Sequence, residues 1–117
     1  MQSSIESADA SRDETIISQI YEIVRAIPSG KVLSYGAVGA GSTPAISGYI
    51  CGRIMGNVPS DVPWWRVVGK NGNLPIRKRH PELSIQQREL LEAEGVALDE
   101  NNCVRMEDFS DKRLGLL

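Results

Sequence analysis

Aromatic side chains are scarce in this chain: one Phe, three Tyr and two Trp among 117 residues. Histidine occurs once, as His80, and cysteine twice, as Cys51 and Cys103. A structural zinc site takes about four Cys or His ligands, so no metal is expected. The phosphate-cradling pattern G-x-x-x-x-G-K is missing as well, and no organic cofactor is expected. Two cysteines without C-x-x-C spacing read as free thiols of a cytosolic protein. Long apolar runs are absent. The longest uncharged stretch, residues 32–52, is rich in Gly and Ser and too polar to span a bilayer. Residues 1–10 carry Glu6 and Asp9 and no apolar segment, which argues against a signal peptide. The expectation is a cytoplasmic monomer with no membrane partner.

An excess of one charge is also lacking, since the formal net charge is −2. The distribution is nevertheless uneven. Residues 1–22 hold one basic and five acidic side chains; residues 25–88 hold nine basic and two acidic, and residues 89–117 three basic and eight acidic. A basic middle between acidic ends is the footprint of a protein whose middle meets phosphate. A solvated surface with charges clumped by chance is the alternative.

What is present is the material for one modest core, with 41% hydrophobic and 24% charged residues. Residues 1–10 read as a flexible end, residues 11–106 as one domain and residues 107–117 as a tail. Ser11-Arg12-Asp13-Glu14 has the form of a capping box. Ile16, Ile20, Ile23 and Ile27 then mark one helical stripe, which Pro28-Ser29-Gly30 stops. Ser34 caps a short helix from Tyr35 to about Ala40. Thr43, with Pro44 at the first helical position, caps a second that ends at Gly56-Asn57. Two short helices about a glycine-containing turn read as a helix-turn-helix. On the second helix Ile46, Ile50 and Ile54 are expected to face the core. Gly48 and Gly52 each cost about 1 kcal/mol against Ala, which implies close approach of an external partner or of another helix. Asn71-Gly72 signals a hairpin, read as a wing. Ser84-Ile85-Gln86-Gln87 reads as a second capping box, opening a helix that ends at Gly95. Residues 96–98 and 103–105 suggest a small hairpin. The fold class is mostly helical α/β, a winged helix-turn-helix with a minor β component.

No catalytic constellation is visible. The unusual feature is Pro63-Trp64-Trp65-Arg66, which holds both tryptophans. One Trp anchoring the core and one covering a loop is the bland reading. An aromatic wall for a flat ligand is the sharper one, because every nucleobase has a π-face.

Residues 62–68, Val-Pro-Trp-Trp-Arg-Val-Val, resemble the Pro-Cys-His-Arg-Val active-site motif of O6-alkylguanine-DNA alkyltransferases. Pro28-Ser29-Gly30-Lys31-Val32-Leu33-Ser34-Tyr35-Gly36 resembles their P-x-G-x-V-x-S/T-Y-G segment. Met55-Gly56-Asn57 resembles the end of their recognition helix, and Glu94-Gly95 their C-terminal Glu-Gly. The resemblance runs over about residues 13–98, in family order. It departs at the nucleophile: Trp64 stands where the alkyl-accepting cysteine would be, and Trp65 where its histidine would be. Indole cannot replace a thiolate. The pattern is therefore similar to the alkyltransferase-like proteins, many of which carry tryptophan at that cysteine position.

That resemblance implies a non-enzymatic protein. It would bind O6-alkylguanine in double-stranded DNA, flip the nucleotide and pass the lesion to nucleotide excision repair. By the same resemblance Ser34 and Tyr35 meet DNA, with Tyr35 pressing on the target's 3′ phosphate. The second helix lies in the minor groove through Gly48, Tyr49, Cys51, Gly52 and Arg53. Asn57, Pro59, Trp64, Trp65 and the Val67 backbone shape a lesion pocket with Tyr35, and Arg77 or Arg79 contacts the flipped base. Arg66 braces the loop. The family's arginine finger, counted back from Gly56-Asn57, falls on Gly48, so Arg53 or Tyr49 takes its place or DNA is bound poorly. Two other functions are open. One is a winged-helix DNA-binding or protein-interaction module without lesion specificity; the other is an enzyme accepting alkyl groups on Cys51 or Cys103.

Overall fold

The isoleucine stripe folds as a helix in the computed structural model, which describes residues 15–78 and 80–110. Helix α1 (residues 15–25) turns Ile20 and Val24 fully inward, with Ile27 just past its end. Ile16 and Ile23 pack at the margin and Ile17 is partly exposed. Gly30 leaves the helix with φ +87°, a conformation that favours glycine. The capping box at residues 11–14 and the flexible end at residues 1–10 lie outside the described residues, as do residues 111–117.

Strand β1 (Leu33–Ser34) pairs in parallel with β2 (Val67–Val68), Leu33 opposite Val67 and Ser34 opposite Val68. Successive strand side chains point to opposite faces, and here the alternation sorts them into two cores. Leu33 and Val67 join Ile20, Val24, Val38 and Cys51 on one face. Val32 and Val68 join Leu74, Leu91, Val96 and Val104 on the other.

Helix α2 (Tyr35–Ala40) begins at Ser34, whose Oγ accepts from the Ala37 N–H at 3.1 Å. Helix α3 (Gly48–Met55) starts later than the sequence suggested, with Ser47 as its cap. Ser47 Oγ accepts from the Ile50 N–H at 3.1 Å. Thr43 cannot serve as the cap because Gln19 of α1 holds its backbone. The Gln19 amide donates to Thr43 O at 3.1 Å and accepts from Thr43 N–H at 2.8 Å. The buried face of α3 is corrected too. Gly48, Cys51, Gly52 and Met55 (spacing i, i+3, i+4, i+7) turn toward α2 and the core, while Ile50 is 44% exposed and Ile46 and Ile54 sit at the margin. The helices approach too closely for isoleucine between them. A Cβ on Gly48 would lie 3.1 Å from Gly36 N, and one on Gly39 2.5 Å from Ile46 O.

The expected wing is a turn without a ribbon. Gly69 N–H donates to Asn73 O at 2.7 Å and Gly72, at φ +85°, donates to Gly69 O at 2.9 Å. Pro75 has no N–H for a return strand and opens a 3-10 turn, Pro75–Lys78. Val104 N–H meanwhile takes Gly72 O at 2.9 Å, docking the turn onto the C-terminal part. Helix α4 (Pro81–Ala93) starts one turn before the expected Ser84 cap, since Pro81 fits the first turn and the Ser84 hydroxyl donates to Pro81 O at 2.7 Å. The hairpin after it is a single antiparallel bridge, Leu98 to Val104. Residues beyond the expected domain edge at 106 also pair with the fold. Val32 N–H donates to Asp108 O at 3.1 Å and Ser110 N–H to Val32 O at 2.7 Å, so residues 107–110 satisfy an otherwise unpaired strand edge. Among the described residues no helix is long and apolar enough to cross a membrane, and no cluster of three or more His, Cys, Asp or Glu could hold a metal.

Candidate nucleic-acid interface

The loop carrying the tryptophans is moored to α1 at two points. The Tyr21 hydroxyl donates to Asn57 O at 3.3 Å, and Arg25 Nη2 reaches Asp61 Oδ2 at 3.1 Å. Val62 is fully buried below it. The loop ends in a 3-10 turn, Trp64–Arg66. Its two indoles are half-buried and meet edge to face, with centroids 6.2 Å apart at 86°. Trp64 packs against the first core and Trp65 against the second, so the pair straddles the junction between them.

Glu94, just past α4, gathers the site. Its Oε2 accepts from Trp65 Nε1 at 2.9 Å and from Arg66 Nη2 at 2.7 Å; its Oε1 accepts from Arg66 Nε at 3.0 Å and from Gly30 N–H at 3.2 Å. Arg66 Nη1 also donates to Ile27 O at 2.9 Å. The guanidinium lies 5.6 Å from the Trp65 ring centroid, within cation–π range. Arg66 and Glu94 side chains are only 16% and 13% exposed. Burial pushes the Glu94 carboxyl up, but the hydrogen bonds from Arg66, Trp65 and Gly30 outweigh it and hold the carboxyl below its ordinary value. Arg66 therefore ties the tryptophan loop to the end of α1. The indole N–H gives Glu94 a donor at the position the resemblance assigns to histidine.

Tyr35 opens α2 half-buried beside Cys51. Burial, with Cys51 nearby, pushes its phenol up to about 12. Cys51 has no exposed surface and burial pushes its thiol up to about 12 as well, which leaves no accessible thiolate for alkyl transfer. Gly48 and Cys51, expected on the DNA face, are turned inward, and of the two close approaches that the glycines could permit the one present is to α2. Gly52 faces the Tyr35 ring, where an added Cβ would stand 3.9 Å from Cδ1. The outward face carries Ser47, Tyr49, Ile50 and Arg53, with Tyr49 68% exposed.

Val67 is fully buried; its N–H donates to Trp64 O and its carbonyl accepts from Gln87 Nε2 at 3.0 Å. Ser34 Oγ is committed to its cap. Asn57 and Pro59 are exposed in the moored loop, and the tie from Asn57 runs to α1 through its carbonyl. Arg77 lines a cavity of about 400 Å³ with Leu74, Ser84, Ile85, Arg88 and Asn102, a wall that contains neither tryptophan. Arg79 lies outside the described residues. Sequence reading missed Gln87, whose buried amide donates to Trp65 O at 3.1 Å as well as to Val67 O. The available signal was a polar residue four positions before Leu91, on the helix's inward stripe, where it must find partners.

The chain matches the family model described as the 6-O-methylguanine DNA methyltransferase DNA-binding domain over residues 16–96. It is 31% identical over 90 residues to a DNA base-flipping protein of Vibrio parahaemolyticus, spanning 74% of this chain and 86% of that one. It is also 31% identical over 102 residues to a DNA base-flipping protein of Escherichia coli, spanning 84% and 75%. Its fold matches that of S. pombe Atl1, solved in complex with damaged DNA containing O6-carboxymethylguanine. The TM-score is 0.69 at 24% identity, covering 84% of this chain and 96% of that one. The tryptophan loop, Glu94 and helices α2 and α3 all lie inside the residues that the family model matches. The chain belongs to the family of the 6-O-methylguanine DNA methyltransferase DNA-binding domain, as an alkyltransferase-like protein.

Proposed function

We propose that this chain recognises O6-alkylguanine in double-stranded DNA by flipping the damaged nucleotide and holding it without removing the alkyl group. The observation that carries the reading is the Glu94 cluster. Trp65, Arg66 and Gly30 occupy the carboxylate, and the residue beside Trp64 is an indole donor, so neither a nucleophile nor a base to activate one stands in the motif. The base-flipping relatives and the damaged-DNA complex of Atl1 support the same direction.

In this reading the outward face of α3 enters the minor groove and Tyr35 bears on the phosphate 3′ of the target. Trp64, Trp65 and Pro59 offer stacking and apolar surface to the extruded base. Arg77 or Arg79 contacts it from the segment after the turn. The acidic ends stay clear of phosphate, and the held lesion is handed as a monomer complex to nucleotide excision repair in the cytoplasm.

The test compares duplexes that differ by a single O6-methylguanine. Tryptophan emission shifts on the lesion duplex and responds far less to plain guanine, and protein mass stays unchanged after incubation. Equal responses to both duplexes support a helix-turn-helix module without lesion specificity, and a gain of one methyl group overturns the non-enzymatic assignment.

A further inference from the structure

We propose that Tyr49, an aromatic ring in place of a cation, is the wedge that fills the base stack when this chain extrudes a nucleotide. The inference rests on the lesion-recognition reading above and names the residue that makes extrusion favourable. The position that sequence counting indicated, Gly48, is unavailable: its Cα side backs onto Gly36, where an added Cβ would lie 3.1 Å from the backbone N. The next residue is turned to solvent. Tyr49 is 68% exposed and its hydroxyl makes no hydrogen bond among the described residues, and Ile50 beside it is 44% exposed. A neighbouring aromatic and aliphatic pair is the kind of surface that wedges between base steps in the minor groove.

A wedge must also be held firmly. Tyr49 sits in the first turn of α3, which Ser47 fixes twice: through its hydroxyl to Ile50 N–H at 3.1 Å and its carbonyl to Cys51 N–H at 2.9 Å. Behind that turn the backbone rests against α2 with no side chain between. Arg53 follows at i+4 on the same side, exposed and without an ion-pair partner among the described residues, a free cation for a flanking phosphate. The division of labour is that Tyr49 replaces lost stacking and Arg53 supplies charge. Stacking on an aromatic is indifferent to salt, whereas a phosphate contact is not.

The experiment measures affinity for O6-methylguanine in a duplex and in the corresponding single strand, where there is no stack to refill. Tyr49→Ala is expected to lose at least about fivefold on the duplex, the low end for one base–aromatic stack, with the salt slope unchanged. On the single strand it stays within about twofold, and Tyr49→Phe keeps duplex affinity. Arg53→Ala instead lowers the salt slope by about 1. A loss below fivefold on the duplex, or an equal loss on the single strand, overturns the wedge while leaving lesion recognition in place. If the unaltered chain fails to prefer the lesion duplex over guanine, the lesion reading falls and the wedge with it.

Discussion

Glu94→Gln removes one charge and almost no volume, which makes it the sharpest probe of the site. The carboxylate receives Gly30 N–H and Arg66 Nε on one oxygen, and Trp65 Nε1 and Arg66 Nη2 on the other. An amide has one acceptor oxygen, so in either orientation its NH2 confronts two of these donors. Arg66, only 16% exposed, loses its countercharge and keeps its bond to Ile27 O besides the one that the remaining side-chain oxygen still accepts. Breaking a fully buried pair costs about 3–5 kcal/mol; the residual exposure and the surviving bonds bring this to about 2–3 kcal/mol. In a domain of this size that is a fall in Tm of roughly 10 °C. Thermal unfolding followed by far-ultraviolet circular dichroism reads it, and fluorescence localises it because both tryptophans adjoin the cluster.

The pH dependence supplies a second check on the same variant. A carboxyl held below its ordinary value of 4.5 stabilises the fold above that pH and loses the contribution as pH falls through the folded-state value. Glutamine does not titrate, so the two melting curves converge on acidification below about pH 4.5. A difference under about 2 °C at neutral pH, where the pair is worth roughly 10 °C by the reasoning above, would refute the cluster's role. So would a gap that stays constant on acidification.

Gly39→Ala and Gly48→Ala differ in outcome although both raise helix propensity. The first drives a Cβ to 2.5 Å from Ile46 O, the second to 3.1 Å from Gly36 N. Gly39→Ala is expected to be the more destabilising by about 2 kcal/mol in urea unfolding, and equal midpoints would contradict the close packing of α2 and α3. Trp64→Cys places a thiol in the motif but leaves Trp65 donating to Glu94 at 2.9 Å. Mass spectrometry is expected to find no methyl on that variant after incubation with lesion DNA, and methylation at the rate of a repair enzyme would show that the clamp can be dispensed with.

Local chemistry made much of this fold legible. Ser34 caps α2, Pro28-Ser29-Gly30 ends the first helix and the isoleucine stripe of α1 is inward because each depends on neighbours in sequence. The start of α3 was misread because the Thr43 backbone is claimed by Gln19, 24 residues away. Its buried face was misread for a related reason: isoleucine spacing outweighs glycine in a one-helix reading, and only the proximity of α2 reverses the order. Tertiary context also turned the expected wing into a docked turn, through Val104, and drew residues 107–110 into the fold, through Val32. At the site, the tryptophans and Glu94 stood out in the sequence. Their joining did not, since Gly30, Trp65, Arg66 and Glu94 are brought together by contacts across the whole chain.

Helices of six and eight residues are too short to persist alone, and α2 and α3 lean on each other through glycines that leave no room for side chains. All the information that holds the two together therefore lies on one side of α3. The opposite side, with Ser47, Tyr49, Ile50 and Arg53, contributes little beyond its cap to the fold and is open to replacement at small cost. A lineage built on this pair of helices is free to change what it inserts into nucleic acid, ring for cation or cation for ring, while the scaffold underneath goes unaltered.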